Sequence, residues 1–196
     1  MIYLISGSPR IGKSTIARKL AEAVKARVVG TDQLEDPNQG DLVIFYSDAE
    51  KNTMTPNERV EAIIKEAKPI IPSIENIIKQ AIDDHQNIII EGVHLFPAYV
   101  SDFIKKFGKD NIKAIFIGST NIDLILQGMA QNTSPNDWPR DFNQDVLRQI
   151  ALFAEAFSDY LRGECEKHNL LYKERSGDFE RDGVEVVGEC AENLIF

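Results

Sequence analysis

Thiol chemistry has little to work with in this sequence. Cys165 and Cys190 are the only cysteines in 196 residues, and they show neither a disulfide framework nor metal-ligand spacing. Both are expected as free thiols in a reducing cytoplasm. Three histidines, His85, His94 and His168, are dispersed along the chain, so no zinc cluster is expected. No apolar run reaches the roughly 18–20 residues that span a bilayer, and the apolar start Met1–Ile5 is too short for a secretion signal. No membrane partner is expected. Basic charge is scarce as well: 22 Lys and Arg stand against 31 Asp and Glu, for a net charge of −9. Neutralising a phosphate backbone needs clustered cations, so no nucleic-acid partner is expected. A local pocket for a small anion remains compatible with that balance.

What is present reads as one ordinary globular domain, residues 1–196. Hydrophobic residues make up 43% and charged residues 27%, enough to build a core without staples. Apolar residues at i, i+3, i+4, i+7 predict helices at Ala17–Val24, Val60–Ala67, Ile74–Ala81, Val100–Phe107 and Ile122–Met129. Longer or looser stripes follow at Val146–Leu161 and Val184–Leu194. Thr55-Pro56-Asn57-Glu58 has the form of a capping box with proline at the first helical position, and Asp182-Gly183-Val184-Glu185 offers a weaker acidic start. Between the helices lie short apolar runs at Ile2–Ile5, Val28–Val29, Ile88–Ile90, Ala114–Ile117 and Leu170–Tyr172. Such runs predict strands buried on both faces, hence an α/β domain with five parallel core strands. Leu42–Tyr46 reads equally as a short strand or a helical turn. An intramolecular core accounts for all the stripes, which suits a monomer or a homodimer.

Chemistry concentrates between the first strand and the first helix. Gly7-Ser8-Pro9-Arg10-Ile11-Gly12-Lys13-Ser14 matches G-x-x-x-x-G-K-[ST] in full. Glycines let the backbone curl so that successive N–H groups face phosphate oxygens, and the helix dipole adds to the field. Lys13 is expected on the β- and γ-phosphates, the Ser14 hydroxyl on Mg²⁺, and Thr15 on the α-phosphate. No Asn-Lys-x-Asp string is present to read guanine, so ATP is the expected nucleotide.

Two acids follow strands. Asp32 comes after Val28-Val29-Gly30-Thr31, and Glu91 after Ile88-Ile89-Ile90. Ligands in open α/β sheets bind at the carboxyl ends of strands, so both acids are expected to face the loop. Glu91 is read as the group that holds Mg²⁺, and Asp32 as the base that takes a substrate hydroxyl proton. The two roles are interchangeable at this level. An acid after a strand also serves as a helix cap or turn residue, the plain structural alternative.

Taken together, Gly7–Thr15, Gly30-Thr31-Asp32 and Ile89-Ile90-Glu91-Gly92-Val93-His94-Leu95 resemble the P-loop kinases around nucleoside-monophosphate kinase, most closely the 2-phosphoglycerate-kinase-like branch. That resemblance implies a three-layer P-loop NTPase fold, with a parallel sheet in order 2-3-1-4-5 and a small lid after the fourth strand. It also implies an ATP-dependent kinase acting on the hydroxyl of a small molecule. The phosphate loop begins at residue 7, which is read as lacking the extra N-terminal domain of some relatives. His94 belongs to the resembled motif, with a substrate role or a packed structural one. The branch tends to carry an arginine just after Gly-Thr-Asp, whereas this chain has Gln33-Leu34-Glu35-Asp36. A sugar, polyol or nucleoside therefore fits as an acceptor beside a 2-phosphoglycerate-like molecule.

The lid is expected at about residues 128–142, a polar, proline-broken stretch between two helical stripes. It carries Arg140, read as the cation brought to the transferring phosphoryl group, and Trp138. Arg148 in the next helix is a substrate candidate, and Arg10 a further candidate inside the phosphate loop. Arg175-Ser176-Gly177-Asp178 lies where related kinases bring a loop to the adenine. Competing readings are a kinase of a macromolecular acceptor such as an RNA end, and a nucleotide-binding switch or regulatory ATPase with no small-molecule acceptor.

Overall fold

The computed structural model describes residues 1–34, 54–131 and 142–192. In chain order the elements are β1 (Ile2–Gly7), α1 (Lys13–Val24), β2 (Arg27–Gly30), a 3-10 turn (Thr31–Gln33), α2 (Pro56–Ala67), α3 (Ile71–Asp83) and β3 (Ile88–Glu91). They continue with α4 (Pro97–Phe107), β4 (Ile112–Gly118), α5 (Ile122–Gln131), α6 (Gln144–His168), β5 (Leu171–Glu174) and α7 (Phe179–Glu192). The five strands form one sheet in the order β2-β3-β1-β4-β5, every pair parallel.

Alternation along the strands explains why their sequences read as continuous apolar runs. Ile2, Leu4, Ile88, Ile90, Ile112 and Phe116 point to one face, where α2, α3, α4 and α6 cover them. Tyr3, Ile5, Ile89, Ile115 and Ile117 point to the other, against Ile16 and Leu20 of α1 and Val186 of α7. Each face is a core, so neither register of a strand can be polar. The edge strands are more open: Val28 of β2 is 36% exposed and Leu171 of β5 49%, which is why their apolar runs are short.

Helix starts follow local chemistry. The capping box at α2 is complete: Glu58 N–H donates to Thr55 Oγ1 at 3.3 Å, and Thr55 N–H donates to the Glu58 carboxylate at 2.7 Å. α7 departs from expectation, because it begins at Phe179 rather than near Asp182. Asp178 accepts the Arg181 N–H at 2.9 Å. Asp182 turns inward and accepts from the Ser176 amide and hydroxyl at 2.9 and 2.7 Å. The earlier aspartate thus serves the helix end, and the later one the loop beneath it.

Of the span 128–142, residues 128–131 close α5 and Phe142 precedes α6, while 132–141, with Trp138 and Arg140, lie outside the described residues. Leu42–Tyr46, Glu35 and Asp36 lie outside them too. At the carboxyl edge the register pairs Ile5 and Gly30 with Glu91, and Gly7 with Ile117. That edge carries the residues singled out in the sequence.

α6 is tied to the edge by aromatic packing. Phe157 is fully buried, its ring 5.7 Å from Phe96, just before α4, and 5.8 Å from Phe153. Phe157→Ala should lower unfolding free energy by about 3–5 kcal/mol, through lost transfer energy and an unfilled cavity. Urea denaturation measures this, and a loss below about 1 kcal/mol would contradict the packing described.

Candidate active site

β1 ends where β4 comes too close for a side chain. A Cβ on Gly7 would lie 2.0 Å from the Ile117 carbonyl oxygen, so only glycine permits this approach. The chain then turns through left-handed backbone at Arg10 (φ 62°) and Gly12 (φ 92°) and enters α1 at Lys13. No side chain caps this helix. Its first-turn amides are therefore available to an anion, as an N-terminus of this kind requires.

Lys13 is 8% exposed, and its Nζ donates to the Ser8 carbonyl at 2.8 Å. Burial pulls its pKa below the ordinary value, while Glu91 and then Asp32 push it back up and Arg10 adds to the lowering. The ammonium thus senses both strand-end acids from within the phosphate loop. Ser14 and Thr15 are exposed on the same turn.

Neither acid is a helix cap. Glu91 is half-buried at the end of β3, and α4 starts at Pro97 after Phe96, which provides no side-chain cap. Asp32 stands on the 3-10 turn with its side chain 78% exposed and its Oδ1 3.8 Å from His94 Nδ1. Asp32 is thus a turn residue, as the plain structural reading allows, and neither carboxylate caps a helix among the described residues. Among the described residues no group of three or more acids, histidines or cysteines could hold a metal alone. Glu91 and the Ser14 hydroxyl fit a Mg²⁺ that takes its remaining ligands from phosphates and water.

The two acid-bearing strings interlock through a residue given no role in the sequence reading. Thr31 is fully buried, and its Oγ1 shares a hydrogen bond of 2.9 Å with His94 Nδ1. A Cβ on Gly92 would sit 1.8 Å from Thr31 Oγ1, so Gly92 is the space that Thr31 occupies. His94 is itself fully buried, and among the described residues its Nε2 has no bonding partner. Burial lowers its pKa to about 4, against a raising influence from Asp32 and with a further lowering from Lys13. The ring is neutral at pH 7, so its contact with Asp32 is not an ion pair there.

Arg175 is turned inward rather than toward solvent. Its backbone N–H donates to the Gly118 carbonyl at 2.8 Å, and its Nε lies 3.5 Å from Asp182 Oδ2, with both side chains at most 5% exposed. Nη2 lies 3.7 Å from where a Gly12 Cβ would be. This ion pair braces the β5–α7 turn under the phosphate loop. A buried partner for Arg175 was legible only as an aspartate seven residues on. Arg148 is exposed on the second turn of α6 and makes no hydrogen bond or ion pair with Lys13, Asp32 or Glu91 among the described residues. Arg59, also passed over in the sequence, is 3% exposed on α2. Its one outward signal is its spacing of four and eight residues before Ile63 and Ala67.

The depressed pKa of His94 sets a sign. The unfolded ring binds a proton near 6.5 and the folded ring near 4, so acid favours unfolding between those values. The stability is intact above pH 6.5 and is lost as pH falls toward 4. This one group should account for a loss on the order of 3 kcal/mol. Urea titrations across that range should show His94→Gln with a correspondingly flatter dependence, and parallel curves would refute the assignment.

No family profile matches the chain. It is 26% identical over 182 residues to a 2-phosphoglycerate kinase of Pyrococcus horikoshii, covering 87% of this chain and 58% of that protein. It is 22% identical over 186 residues to the 2-phosphoglycerate kinase of Methanothermobacter thermautotrophicus, covering 87% and 59%. The chain therefore spans under two thirds of the length of these relatives. Among solved structures, a gluconokinase from Sinorhizobium meliloti superposes with a TM-score of 0.56 at 15% identity, covering 98% of this chain and 94% of that one. A shikimate kinase from Acinetobacter baumannii does so at 0.55 and 14%, covering 100% and 94%. In sequence the chain is similar to 2-phosphoglycerate kinases, and its fold is that of the P-loop kinases.

Proposed function

We propose that this chain is an ATP-dependent phosphotransferase that moves the γ-phosphoryl group to a hydroxyl of a small molecule. The observation that carries this reading is the buried ammonium of Lys13, within electrostatic reach of both Glu91 and Asp32. A phosphate cradle, a metal-holding acid and a free carboxylate thus meet at one sheet edge.

In this reading the amides of Gly7–Thr15 hold the phosphates, and Lys13 exchanges the Ser8 carbonyl for β- and γ-phosphate oxygens. Ser14 and Glu91 would hold Mg²⁺, which when bound would supply charge neutralisation on those oxygens. Asp32, exposed and uncommitted, accepts the proton of the acceptor hydroxyl as its oxygen bonds to the γ-phosphorus and the bond to the ADP oxygen breaks. The exchange of roles between Asp32 and Glu91 is the variant of the same scheme. Thr31 and the neutral His94 hold the turn that carries Asp32, and His94 acts on the acceptor side through that turn. Arg140 is assigned to a lid at 128–142 closing on the transferring group, and Arg148 to the acceptor. The reading is of one domain acting in the cytoplasm, as monomer or homodimer, without nucleic acid or membrane. Among the described residues no helix is long and apolar enough to cross a membrane. The relatives' name makes 2-phosphoglycerate a candidate acceptor, beside sugars, polyols and nucleosides.

ADP release from Mg-ATP across such an acceptor panel tests the proposal. One acceptor should raise the rate by about tenfold or more, and Asp32→Asn should remove about 10²–10⁴-fold of that rate. Lys13→Ala should lose about 10²–10³-fold, the scale of one preorganised donor to the transition state. A flat panel with ATP tightly bound would defeat the reading in favour of a nucleotide-binding switch.

A further inference from the structure

The ring of His94 faces two oxygens from adjacent residues of the 3-10 turn. Its Nδ1 lies 2.9 Å from Thr31 Oγ1 and 3.8 Å from Asp32 Oδ1. The first contact is a hydrogen bond; the second is too long for one and acts through charge. The ring is neutral at pH 7, so one nitrogen carries a proton and the other does not. Which one follows from the chemistry of the two oxygens. A threonine hydroxyl can donate or accept, so Thr31 leaves the choice open. An ionised carboxylate only accepts, and a nitrogen lone pair facing it would be repelled. Asp32 therefore favours the proton on Nδ1, where Nδ1–H donates to Thr31 Oγ1 with its positive end near Asp32 Oδ1. Ring and hydroxyl are both fully buried, and the Thr31 side chain fills the space that Gly92 leaves, so this donor is held in place.

Asp32 has need of such a partner. Its side chain is 78% exposed, and exposed side chains exchange rotamers within nanoseconds. A general base must instead keep one oxygen within hydrogen-bond reach of the proton it takes. We propose that His94 is a positioning residue for Asp32: its Nδ1–H, fixed by Thr31, turns Oδ1 inward and leaves Oδ2 to take the proton of the acceptor hydroxyl. As that proton moves to Oδ2, the hydroxyl oxygen bonds to the γ-phosphorus and the bond to the ADP oxygen breaks. This inference rests on the kinase reading and divides the roles within it. Oδ1 is the oxygen that is oriented, Oδ2 the oxygen that reacts, and His94 works only through the carboxylate. Thr31 sets the ring, and the ring sets the base.

Nitrogen NMR of the full chain, labelled at histidine, reads the ring proton directly and needs no substrate. His85→Gln and His168→Gln identify the signals of the other two rings. At neutral pH the native chain should show His94 mainly as the Nδ1–H tautomer, and Asp32→Ala should shift it toward Nε2–H. A native ring protonated mainly at Nε2, or a tautomer indifferent to Asp32→Ala, overturns the proposal. Turnover gives the second reading, with Mg-ATP and whichever of 2-phosphoglycerate, sugar, polyol or nucleoside raises ADP release. His94→Asn keeps a donor attached to Cγ, as Nδ1 is, whereas His94→Gln places it one bond farther out. His94→Gln should lower kcat by about tenfold to 10²-fold with acceptor KM within about twofold, the mark of a misplaced base. His94→Asn should retain about tenfold more kcat than His94→Gln. In an Asp32→Asn background the loss from His94→Gln should vanish, because no base remains to be oriented. No loss in His94→Gln, equal losses in the two variants, or losses that multiply with Asp32→Asn would each overturn the proposal. Should His94→Gln fail to fold, the NMR comparison of the native chain with Asp32→Ala decides alone. An Nδ1–H ring that follows Asp32, with no acceptor raising ADP release, would keep the orientation of Asp32 and remove the kinase reading. ADP release that requires Asp32 beside a ring protonated at Nε2 would do the reverse.

Discussion

Lys13 places an ammonium inside protein at the head of α1, and the rest of the carboxyl edge is arranged around that fact. Removing the group from water disfavours its charge, and the carboxylates of Glu91 and Asp32 oppose that loss. Glu91 ends β3 and Asp32 follows β2 on the 3-10 turn, and these strands are paired in register, Gly30 and Ile5 both opposite Glu91. The parallel sheet therefore does electrostatic as well as structural work. It aligns strand ends so that two anions from different segments of the chain act electrostatically on one buried cation. Such an alignment is what anion transfer requires, since charge must be balanced before and after the phosphoryl group moves.

The alignment is held by contacts that leave little slack. Gly92 leaves room for Thr31, Thr31 bonds His94, and neutral His94 lies against the turn bearing Asp32. A neutral ring suits this place because Nε2 has no partner among the described residues, whereas a charged ring would need acceptors for both protons. On the opposite side, Gly7 and Ile117 bring the phosphate loop against β4, and Arg175 with Asp182 supports it from the β5–α7 turn. Two clamps thus position the phosphate loop and the acid-bearing turn independently.

Arg175 has Asp182 within the chain, so its burial is a structural brace. Arg59 is no more exposed, and among the described residues its Nε and Nη2 make no hydrogen bond. Burial alone therefore does not say what a guanidinium is for.

Most of the fold was legible in the sequence because local chemistry decided it. The strands β1, β3 and β4 are apolar on both faces, the capping box at Thr55 starts α2, and the glycine spacing of the phosphate loop has a single geometric use. The placement of Asp32 and Glu91 after strands was readable for the same reason, since strand ends in a parallel sheet converge. The sequence could not say that Asp182 would turn inward while Asp178 served the start of α7, because the two differ only in what packs above them. Nor could it give a role to Thr31 or Arg59, or a partner to Arg175. Each gains its meaning from a partner, or from the lack of one, that lies elsewhere in the chain. The pattern of apolar and polar residues determined which segments are buried. Only the tertiary structure decided which buried polar groups are answered, because hydrogen bonds and charge pairs depend on distances that folding alone creates.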